Sequence, residues 1–333
     1  QSVLIIARSS ANFLRFRTPT SAGVSPLVGK TARQEDTSPL HSMGAIFGKS
    51  DEDCIAEYFK GKVVWITGAS GGLGRELCLA LCKASKPAGL ILSARKEKDL
   101  QEVKDCCLEL CPTLQAEVLP LDLSEIDTLQ SKVDQALKAF TCVDVLINNG
   151  GRGFRDLAQD TGIDVDRDMM NVNFFSGVAL TKGLLGKWLE RQYGHVVQIS
   201  SVQSFFGLPG RTAYSATKHA VVGFYDSLRA EVEDQGVSVT LVAPGYIATN
   251  HSQNAASGSP GKKSYPEGHT SKAVPADVMA IQVLAAAARR KQEVVPAARD
   301  ALAARVLRSC CPRLLFWVMK KRAKKEASLL SKL

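Results

Sequence analysis

The sequence predicts an α/β fold in which a doubly wound, mainly parallel seven-stranded sheet carries helices on both faces. From Gly61 onward, short apolar runs alternate with stretches of helical periodicity, which is the pattern of repeated β-α units. The apolar runs are continuous rather than alternating, as expected for strands that are buried on both faces. A chain of 333 residues is long enough for one such domain with extensions.

The predicted elements follow the chain in regular alternation. Strands are predicted over residues 62–67, 88–94, 115–122, 143–148, 195–200, 237–243 and 293–296. Helices are predicted over 72–85, 96–110, from Ser124 onward, and over 164–190, 213–235 and 276–290. Residues 245–273, rich in Ser, Thr and Gly, are predicted to be a functional loop such as a lid. In such folds ligands bind beyond the carboxyl ends of the strands, near the point where the strand order reverses.

Three regions are predicted along the chain. Residues 1–58 lack sustained periodicity and are expected to be a poorly ordered extension without an assigned function, 59–298 form the α/β domain, and 299–333 form a helical basic tail. No stretch approaches the eighteen apolar residues that a membrane-spanning helix needs.

The excess of positive charge lies at the two ends of the chain. The formal net charge is +9, of which residues 312–333 carry +6 and residues 1–50 carry +4, so that the body between them is near neutral. A nucleic-acid-binding domain would carry a basic face of its own, and we therefore expect no nucleic-acid partner.

The nine cysteines show no spacing typical of a metal site. None forms a Cys-x-x-Cys pair, there is no matching cluster of histidines, and we expect no bound metal. Cys78 and Cys82, like Cys107 and Cys111, lie four residues apart on predicted helices, as packed neighbours on one helix face do. We interpret the cysteines as free thiols.

A glycine-rich turn follows the first predicted strand and opens the first helix of the α/β pattern. It comprises Gly68, Ser70, Gly71, Gly72, Leu73 and Gly74. Glycines allow a tight turn and close approach of the backbone, so amides at the helix start can bind a pyrophosphate in a Rossmann-type fold. Arg95 follows the second strand, where a fold that prefers NAD(H) commonly places an acidic residue. A guanidinium there can bind a 2′-phosphate, which favours NADP(H) over NAD(H).

Tyr214 and Lys218 lie four residues apart on a predicted helix and therefore share one face. Ser201 precedes Tyr214 by thirteen residues and follows the fifth strand. Hydride transfer to a ketone requires a proton for the forming alkoxide, and a phenol can supply it when a nearby ammonium stabilises the phenolate. Ser201 can hydrogen-bond the substrate carbonyl and hold it near the phenol. This arrangement predicts a carbonyl reductase.

These motifs resemble the short-chain dehydrogenase/reductase family over roughly residues 60–297. The resemblance implies that Tyr214 is the acid/base, that Lys218 also holds the nicotinamide ribose, and that Asn173 completes a catalytic tetrad through a water relay. It further implies cofactor contacts from Asp122 and Leu123 near the adenine, from Asn149 and Gly150 after the fourth strand, and from Pro244, Gly245, Ile247 and Thr249 on the nicotinamide side. Family members form dimers or tetramers, so a homo-oligomer is expected.

Within that family the sequence is most similar to the member-7 group and its B-type, for example at Asp164–Arg167, Val178–Lys182 and Pro244–Asn250. The group implies reduction of lipophilic carbonyls, with acyl- or alkyl-dihydroxyacetone phosphate, retinoids and steroids as candidates. The leading hypothesis is NADPH-dependent reduction of acyl- or alkyl-dihydroxyacetone phosphate in peroxisomes. A retinol or steroid dehydrogenase at the endoplasmic reticulum, and a nucleotide-binding scaffold that has lost catalysis, are the alternatives.

The carboxyl-terminal tail carries two further signals. Ser331-Lys332-Leu333 reads as a peroxisomal address, with an import receptor as partner. The apolar block Leu314–Met319, followed by Lys320–Arg322, is typical either of a helix on an anionic membrane surface or of a helix packed over the substrate cleft. The sequence leaves these two readings open.

Overall fold

The computed structural model describes residues 49–250, 255–258 and 273–330. Its strands are β1 (Val63–Thr67), β2 (Gly89–Ser93), β3 (Gln115–Val118), β4 (Val145–Asn148), β5 (Gly194–Ile199), β6 (Val237–Val242), β7 (Ile247–Ala248), β8 (Val274–Pro275) and β9 (Glu293–Val294). Its helices are α1 (Asp51–Phe59), α2 (Gly72–Ala84), α3 (Glu97–Leu110), α4 (Leu129–Ala139), α5 (Ile163–Met170), α6 (Ser176–Glu190), α7 (Thr212–Val232), α8 (Ala276–Ala288), α9 (Arg299–Cys310) and α10 (Pro312–Leu330).

The main sheet confirms the predicted fold class. Its seven strands run in the order β3-β2-β1-β4-β5-β6-β9, and every pairing is parallel. The chain adds strands in one direction from β1 to β3 and then returns to add β4 on the other side of β1. The order therefore reverses between β1 and β4, which is where a doubly wound sheet opens a ligand crevice.

Alternate residues of each strand point to opposite faces, and each face has its own core. On one face Val64 and Ile66 of β1 pack with α1, α2, α3 and α8. On the other, Val63 and Trp65 pack with α4, α6 and α7. The strands β1, β4 and β5 are buried on both sides, which explains their continuous apolar runs, whereas the edge strand β3 is only partly buried. The nine cysteines are free, and Cys78, Cys82, Cys107 and Cys111 are buried in the first of these cores.

The first helix was not predicted from the sequence, which placed residues 51–58 in a poorly ordered extension. Asp51–Phe59 forms α1, with the Ser50 side chain accepting a hydrogen bond from the Asp53 amide and acidic residues in the first turn. Its inward residues, Ile55 and Phe59, are fully buried against the core that includes α8. Two apolar residues one turn apart are too short a pattern to reveal a helix.

The predicted helix over 164–190 is interrupted. Between α5 and α6, residues Asn171–Phe175 form a π-helical turn, in which the Ser176 amide donates to the Asn171 carbonyl five residues earlier. Such turns insert one residue and rotate the side chains that follow. This turn contains Asn173, one of the predicted catalytic residues.

Three predictions fall wholly or partly outside the described residues. Of the predicted loop 245–273, residues 251–254 and 259–272 lie outside them, and the described part pairs β7 with β8 in a short parallel ladder. The tripeptide Ser331–Leu333 and most of the extension 1–58 also lie outside. No helix in the described part of the chain is long and apolar enough to cross a membrane.

Candidate active site at the strand-order reversal

The glycine turn between β1 and α2 has the tight geometry that the sequence predicts. Gly68 and Gly72 have φ of +68° and +53°, in the left-handed region that favours glycine. A Cβ on Gly74 would lie 2.0 Å from the Gly68 carbonyl oxygen, so only glycine allows the helix start to approach the turn. No side chain caps the start of α2. Its first amides therefore have no partner within the helix and can bind an anion.

The Thr67 side chain joins the ends of β1 and β4. Its hydroxyl oxygen accepts hydrogen bonds from the amides of Asn149 (3.0 Å) and Gly150 (2.9 Å). The Asn149 side chain in turn donates to the Thr67 carbonyl at 2.9 Å. These bonds fix the backbone on both sides of the crevice. Thr67 has no predicted role, because a threonine at the end of a buried strand carries no distinguishing pattern.

Arg95 and Asp122 follow β2 and β3 at the outer end of the crevice. Partial burial by itself would raise the pKa of the Asp122 carboxyl, but hydrogen bonds from Ser124 and the positive charges of Arg95 and Arg152 lower it overall. Asp122 is therefore ionised at neutral pH, and the Arg95 guanidinium lies close enough to influence it electrostatically.

Ser201, Tyr214 and Lys218 meet at the inner end of the crevice. Lys218 is 5 % exposed, and its ammonium donates to the Ile199 carbonyl at 3.2 Å. The same ammonium lies 5.6 Å from the centre of the Tyr214 ring. Burial lowers the pKa of Lys218 to about 8. Because this value is above neutral pH, the side chain keeps its positive charge next to the phenol.

The proton of Tyr214 is held more tightly than that of a free phenol. Burial raises the pKa of Tyr214, while a hydrogen bond with Ser201 and the positive charge of Arg211 oppose that rise. Ser201 is also fixed by its own neighbours, since its hydroxyl oxygen accepts from the Gln203 amide at 3.2 Å. The phenol is thus protonated at neutral pH, and its hydroxyl forms a hydrogen bond with Ser201, the residue predicted to orient the substrate.

Asn173 lies behind the crevice rather than in its wall. Its side-chain oxygen accepts from the Arg152 amide at 2.7 Å, and its nitrogen donates to the Arg152 carbonyl at 2.9 Å and to the Thr217 hydroxyl at 3.3 Å. The π turn directs Asn173 toward these partners. The side chain therefore connects the segment after β4 to α7, next to Lys218.

A single cleft of about 880 Å³ joins these groups. Except for Gly74 and Asn173, every predicted site residue lines it, namely Gly68, Ser70, Gly71, Gly72, Leu73, Arg95, Asp122, Leu123, Asn149, Gly150, Ser201, Tyr214, Lys218, Pro244, Gly245, Ile247 and Thr249. Thr249 faces the start of α2, because its methyl carbon would lie 3.2 Å from a Cβ on Gly72. The cleft thus runs from the arginine after β2 to the phenol on α7.

Several residues of the cleft wall were not predicted from the sequence, including Arg152, Phe154, Arg155, Gln203 and Tyr246. Three of them lie between β4 and α5, where no periodic pattern marks them. The Gln203 side chain accepts a hydrogen bond from the Ser215 hydroxyl at 3.1 Å. Its position two residues after Ser201 is the sequence feature that could have indicated a place in the cleft wall.

The shape and donors of the cleft fit a nicotinamide dinucleotide. The uncapped start of α2 offers amides to a pyrophosphate. A Cβ on Gly71 would meet nothing within 4 Å, so the turn leaves space above the helix start. Arg95 lines one end of the cleft and Lys218 the other, with the reversal of strand order between them. Within the described part of the chain, no group of three or more potential ligands is placed to hold a metal ion.

Comparison with known proteins agrees with this geometry. A family model described as short chain dehydrogenase matches residues 62–259. The dehydrogenase/reductase SDR family protein 7-like of Drosophila melanogaster is 43% identical over 267 residues, covering 80% of this chain and 81% of that protein. The mouse (Mus musculus) dehydrogenase/reductase SDR family member 7B is 39% identical over 274 residues, covering 81% of this chain and 83% of that protein.

Among solved structures, a short-chain dehydrogenase from Streptomyces avermitilis superposes with a TM-score of 0.66 at 27% identity, covering 79% of this chain and 97% of that chain. The matched region contains the glycine turn, Ser201, Tyr214 and Lys218, which line one cleft. The chain belongs to the short-chain dehydrogenase/reductase family and is an NAD(P)-dependent oxidoreductase that acts on alcohol or carbonyl groups.

Proposed function

We propose that this protein reduces a lipophilic carbonyl compound to an alcohol with NADPH. The observation that carries the proposal is the convergence of Ser201, Tyr214 and Lys218 at one end of a cleft that begins at the glycine turn. When bound, the nicotinamide supplies the hydride. The remaining chemistry is the delivery of a proton to the carbonyl oxygen and the stabilisation of the charge that develops there.

The side chains have roles that follow from their environments. The Ser201 hydroxyl holds the substrate carbonyl oxygen beside the Tyr214 phenol. Because burial raises its pKa, Tyr214 is protonated at neutral pH and can donate to the forming alkoxide. The Lys218 ammonium stabilises the phenolate that remains, and it keeps its charge below about pH 8. Asn173 positions Arg152 and Thr217 next to this group.

Preference for NADP(H) over NAD(H) is supported by the residues that follow β2. Arg95 and Lys96 line the cleft at this position, where their charges can bind the 2′-phosphate. Arg95 also lies close enough to lower the pKa of Asp122. A carboxylate directly after β2 would instead repel the phosphate.

For the substrate we propose acyl- or alkyl-dihydroxyacetone phosphate. The cleft lining includes Phe154, Val172 and the aromatic ring of Tyr246 together with the cationic Arg155 and Arg211, which suits a lipid chain and a phosphate. Following NADPH oxidation with acyl-dihydroxyacetone phosphate, retinal and ketosteroids distinguishes this substrate from a retinoid or steroid. Turnover of retinal or a ketosteroid alone would replace the phosphate ester in this proposal.

We also propose a peroxisomal location, with Ser331-Lys332-Leu333 bound by an import receptor. The support is the sequence of the terminal tripeptide. A location on the surface of the endoplasmic reticulum is the alternative, and it would suit a retinoid or steroid substrate.

The reaction is tested by replacing the proton donor. We expect Tyr214→Phe to retain NADPH affinity, because the ring keeps its packing, and to lower kcat by about 10²-fold or more, the usual contribution of a general acid. NADPH binding is measured by fluorescence titration and turnover by NADPH oxidation. Nucleotide binding without turnover in the wild-type protein would instead favour a scaffold, and unchanged turnover in Tyr214→Phe would remove the phenol from the mechanism.

A further inference from the structure

The two carboxyl-terminal helices, α9 and α10, together present an exposed apolar surface that the reductase site does not use. Of the eleven large apolar residues that are exposed in the described part of the chain, six lie on these helices: Leu302, Val306, Leu314, Phe316, Trp317 and Val318. We call these six residues the C-terminal apolar surface. Isolated exposed apolar residues are ordinary, but a cluster of this kind marks an interaction site.

The opposite side of the helix pair already has a partner within the protein. Ala304 of α9 and Leu315 of α10 are buried against Phe206, with Phe205 and Leu208 packed around them. These three residues follow Ser201 and Gln203 along the chain. The apolar content of α10 therefore serves two faces, one packed next to the substrate end of the cleft and one facing outward. No described residue of α9 or α10 lines the cleft itself, and binding of the outward face to a membrane stays a prediction.

Two cations of the helix pair lie against aromatic rings of the outward face. Residues 299–330 contain nine Lys or Arg and only two acidic residues. The Lys321 ammonium lies 3.6 Å above the Trp317 ring, and the Arg308 guanidinium lies 5.2 Å from the centre of the Phe316 ring. Aromatic rings flanked by Lys and Arg are typical of helices at a membrane–water interface, where the rings reach the acyl boundary and the cations bind anionic headgroups.

The charge also argues against a second copy of this chain as the occupant. In a symmetric dimer through this surface, two strongly basic helix pairs would face one another, and like-charge contacts of this kind are unfavourable. The partner must carry negative charge to match the cations and must offer an apolar layer to cover the exposed rings. An anionic bilayer surface has both properties. We propose that the C-terminal apolar surface binds the surface of an anionic phospholipid bilayer, with Phe316 and Trp317 at the depth of the headgroups.

The protein contains a specific fluorescent reporter for this contact. Of its three tryptophans, Trp65 and Trp188 are at most 1 % exposed in the core, whereas Trp317 is 53 % exposed. We expect the full-length protein to sediment with phosphatidylcholine vesicles that contain phosphatidylserine, and less with phosphatidylcholine alone. Tryptophan emission should shift to shorter wavelength and become protected from acrylamide, because Trp317 leaves water. Binding should weaken as salt is added.

Two variants separate the apolar and the electrostatic contributions. Phe316→Ser, and separately Lys320→Glu with Lys321→Glu, should each lower vesicle affinity by at least about tenfold, since each removes a determinant of interfacial binding. Matched controls are Ile163→Ser, which removes an exposed apolar residue from α5, and Lys138→Glu with Lys187→Glu, which reverses two exposed charges on α4 and α6. The controls should bind as the wild type does.

Several results would overturn this proposal. They are equal binding of all variants, equal binding to neutral vesicles, and absence of vesicle binding. Emission that is already shifted and protected from acrylamide without vesicles would show that another part of the chain or a second copy covers Trp317. Vesicle binding is measured without a substrate, so its result does not depend on the proposed reductase function. Turnover of a small water-soluble carbonyl should be unchanged in every variant.

Discussion

At the residue scale, Lys218 shows how the site uses an unfavourable burial. Its pKa falls from the ordinary 10.5 to about 8, so the folded protein binds this proton less tightly than the unfolded chain does. Below pH 8 the side chain is protonated in both the folded and the unfolded state. Burial of the charge then lowers the free energy of unfolding by about 3 kcal/mol, at 1.36 kcal/mol per pKa unit. Between pH 8 and 10.5 the folded protein loses this proton while the unfolded chain still holds it, so the destabilisation decreases as the pH rises. Stability gains from this group as the pH rises.

We therefore expect Lys218→Met, which keeps volume and removes the charge, to raise the free energy of unfolding at pH 7 by about 1–3 kcal/mol while abolishing turnover. The gain should disappear near pH 10.5. Urea unfolding at both pH values measures it. A variant less stable than the wild type at pH 7 would show that the bond from the ammonium to the Ile199 carbonyl outweighs the cost of burial.

Arg95 provides a second test at this scale. If its guanidinium binds the 2′-phosphate, Arg95→Asp should weaken NADPH binding by about 10- to 100-fold, the range for a lost hydrogen bond to a charged group, and NADH binding much less. Lys98→Asp, on α3 outside the cleft, makes the same change of charge and serves as the control. Equal losses for both nucleotides would contradict the proposed role.

Some residues of the cleft could be predicted from the sequence and others could not. Ser201, Tyr214 and Lys218 were predicted from spacing and from their positions at a strand end and a helix start, and the structure brings them together. Arg155, Gln203 and Tyr246 were not, because their position depends on how the segments after β4, β5 and β6 fold over one another. Loop conformation of that kind has no periodic signature in one sequence.

At the element scale, the turn into α2 tolerates no side chain at Gly74. A Cβ there would lie 2.0 Å from the Gly68 carbonyl oxygen, so the backbone must shift. We expect Gly74→Ala to cost about 1–3 kcal/mol of stability, as overpacking commonly does, and to weaken NADPH binding. Gly186→Ala in α6 is the matched control, because its Cβ meets nothing within 4 Å and should leave stability equal or higher. Equal thermal stability of the two variants would contradict the close approach.

The existence and type of the elements were predicted well where the apolar pattern was long. The strands β1 to β6 and the helices α2, α3 and α7 lie where predicted, within a few residues at their ends. The π turn at Asn171–Phe175 was not predicted, because a single inserted residue leaves the surrounding helical pattern almost unchanged. The helix α1 was not predicted because its apolar pattern is too short: only Ile55 and Phe59 face inward.

At the scale of the whole molecule, the proposed address can be tested separately from the fold. Deleting Ser331–Leu333 should leave a fluorescently tagged protein in the cytosol without changing its turnover, because a receptor reads the free terminus. Adding one residue after Leu333 provides a control that keeps the tripeptide sequence but converts the Leu333 carboxylate into a peptide bond. Continued import of the deleted protein would show that the tripeptide is incidental.

The strand order couples the two halves of the molecule. The chain completes β1 to β3 before β4 returns to pair with β1, where Val64 lies beside Val145. The first half carries the glycine turn and Arg95, and the second carries Ser201, Tyr214 and Lys218. A dinucleotide that spans the reversal can bind fully only when this central seam is closed, so we expect nucleotide to protect the protein against unfolding. At a concentration about 100 times the Kd, mass action gives about 2.7 kcal/mol. The lifetime of the enzyme in a cell would then follow the local supply of its coenzyme.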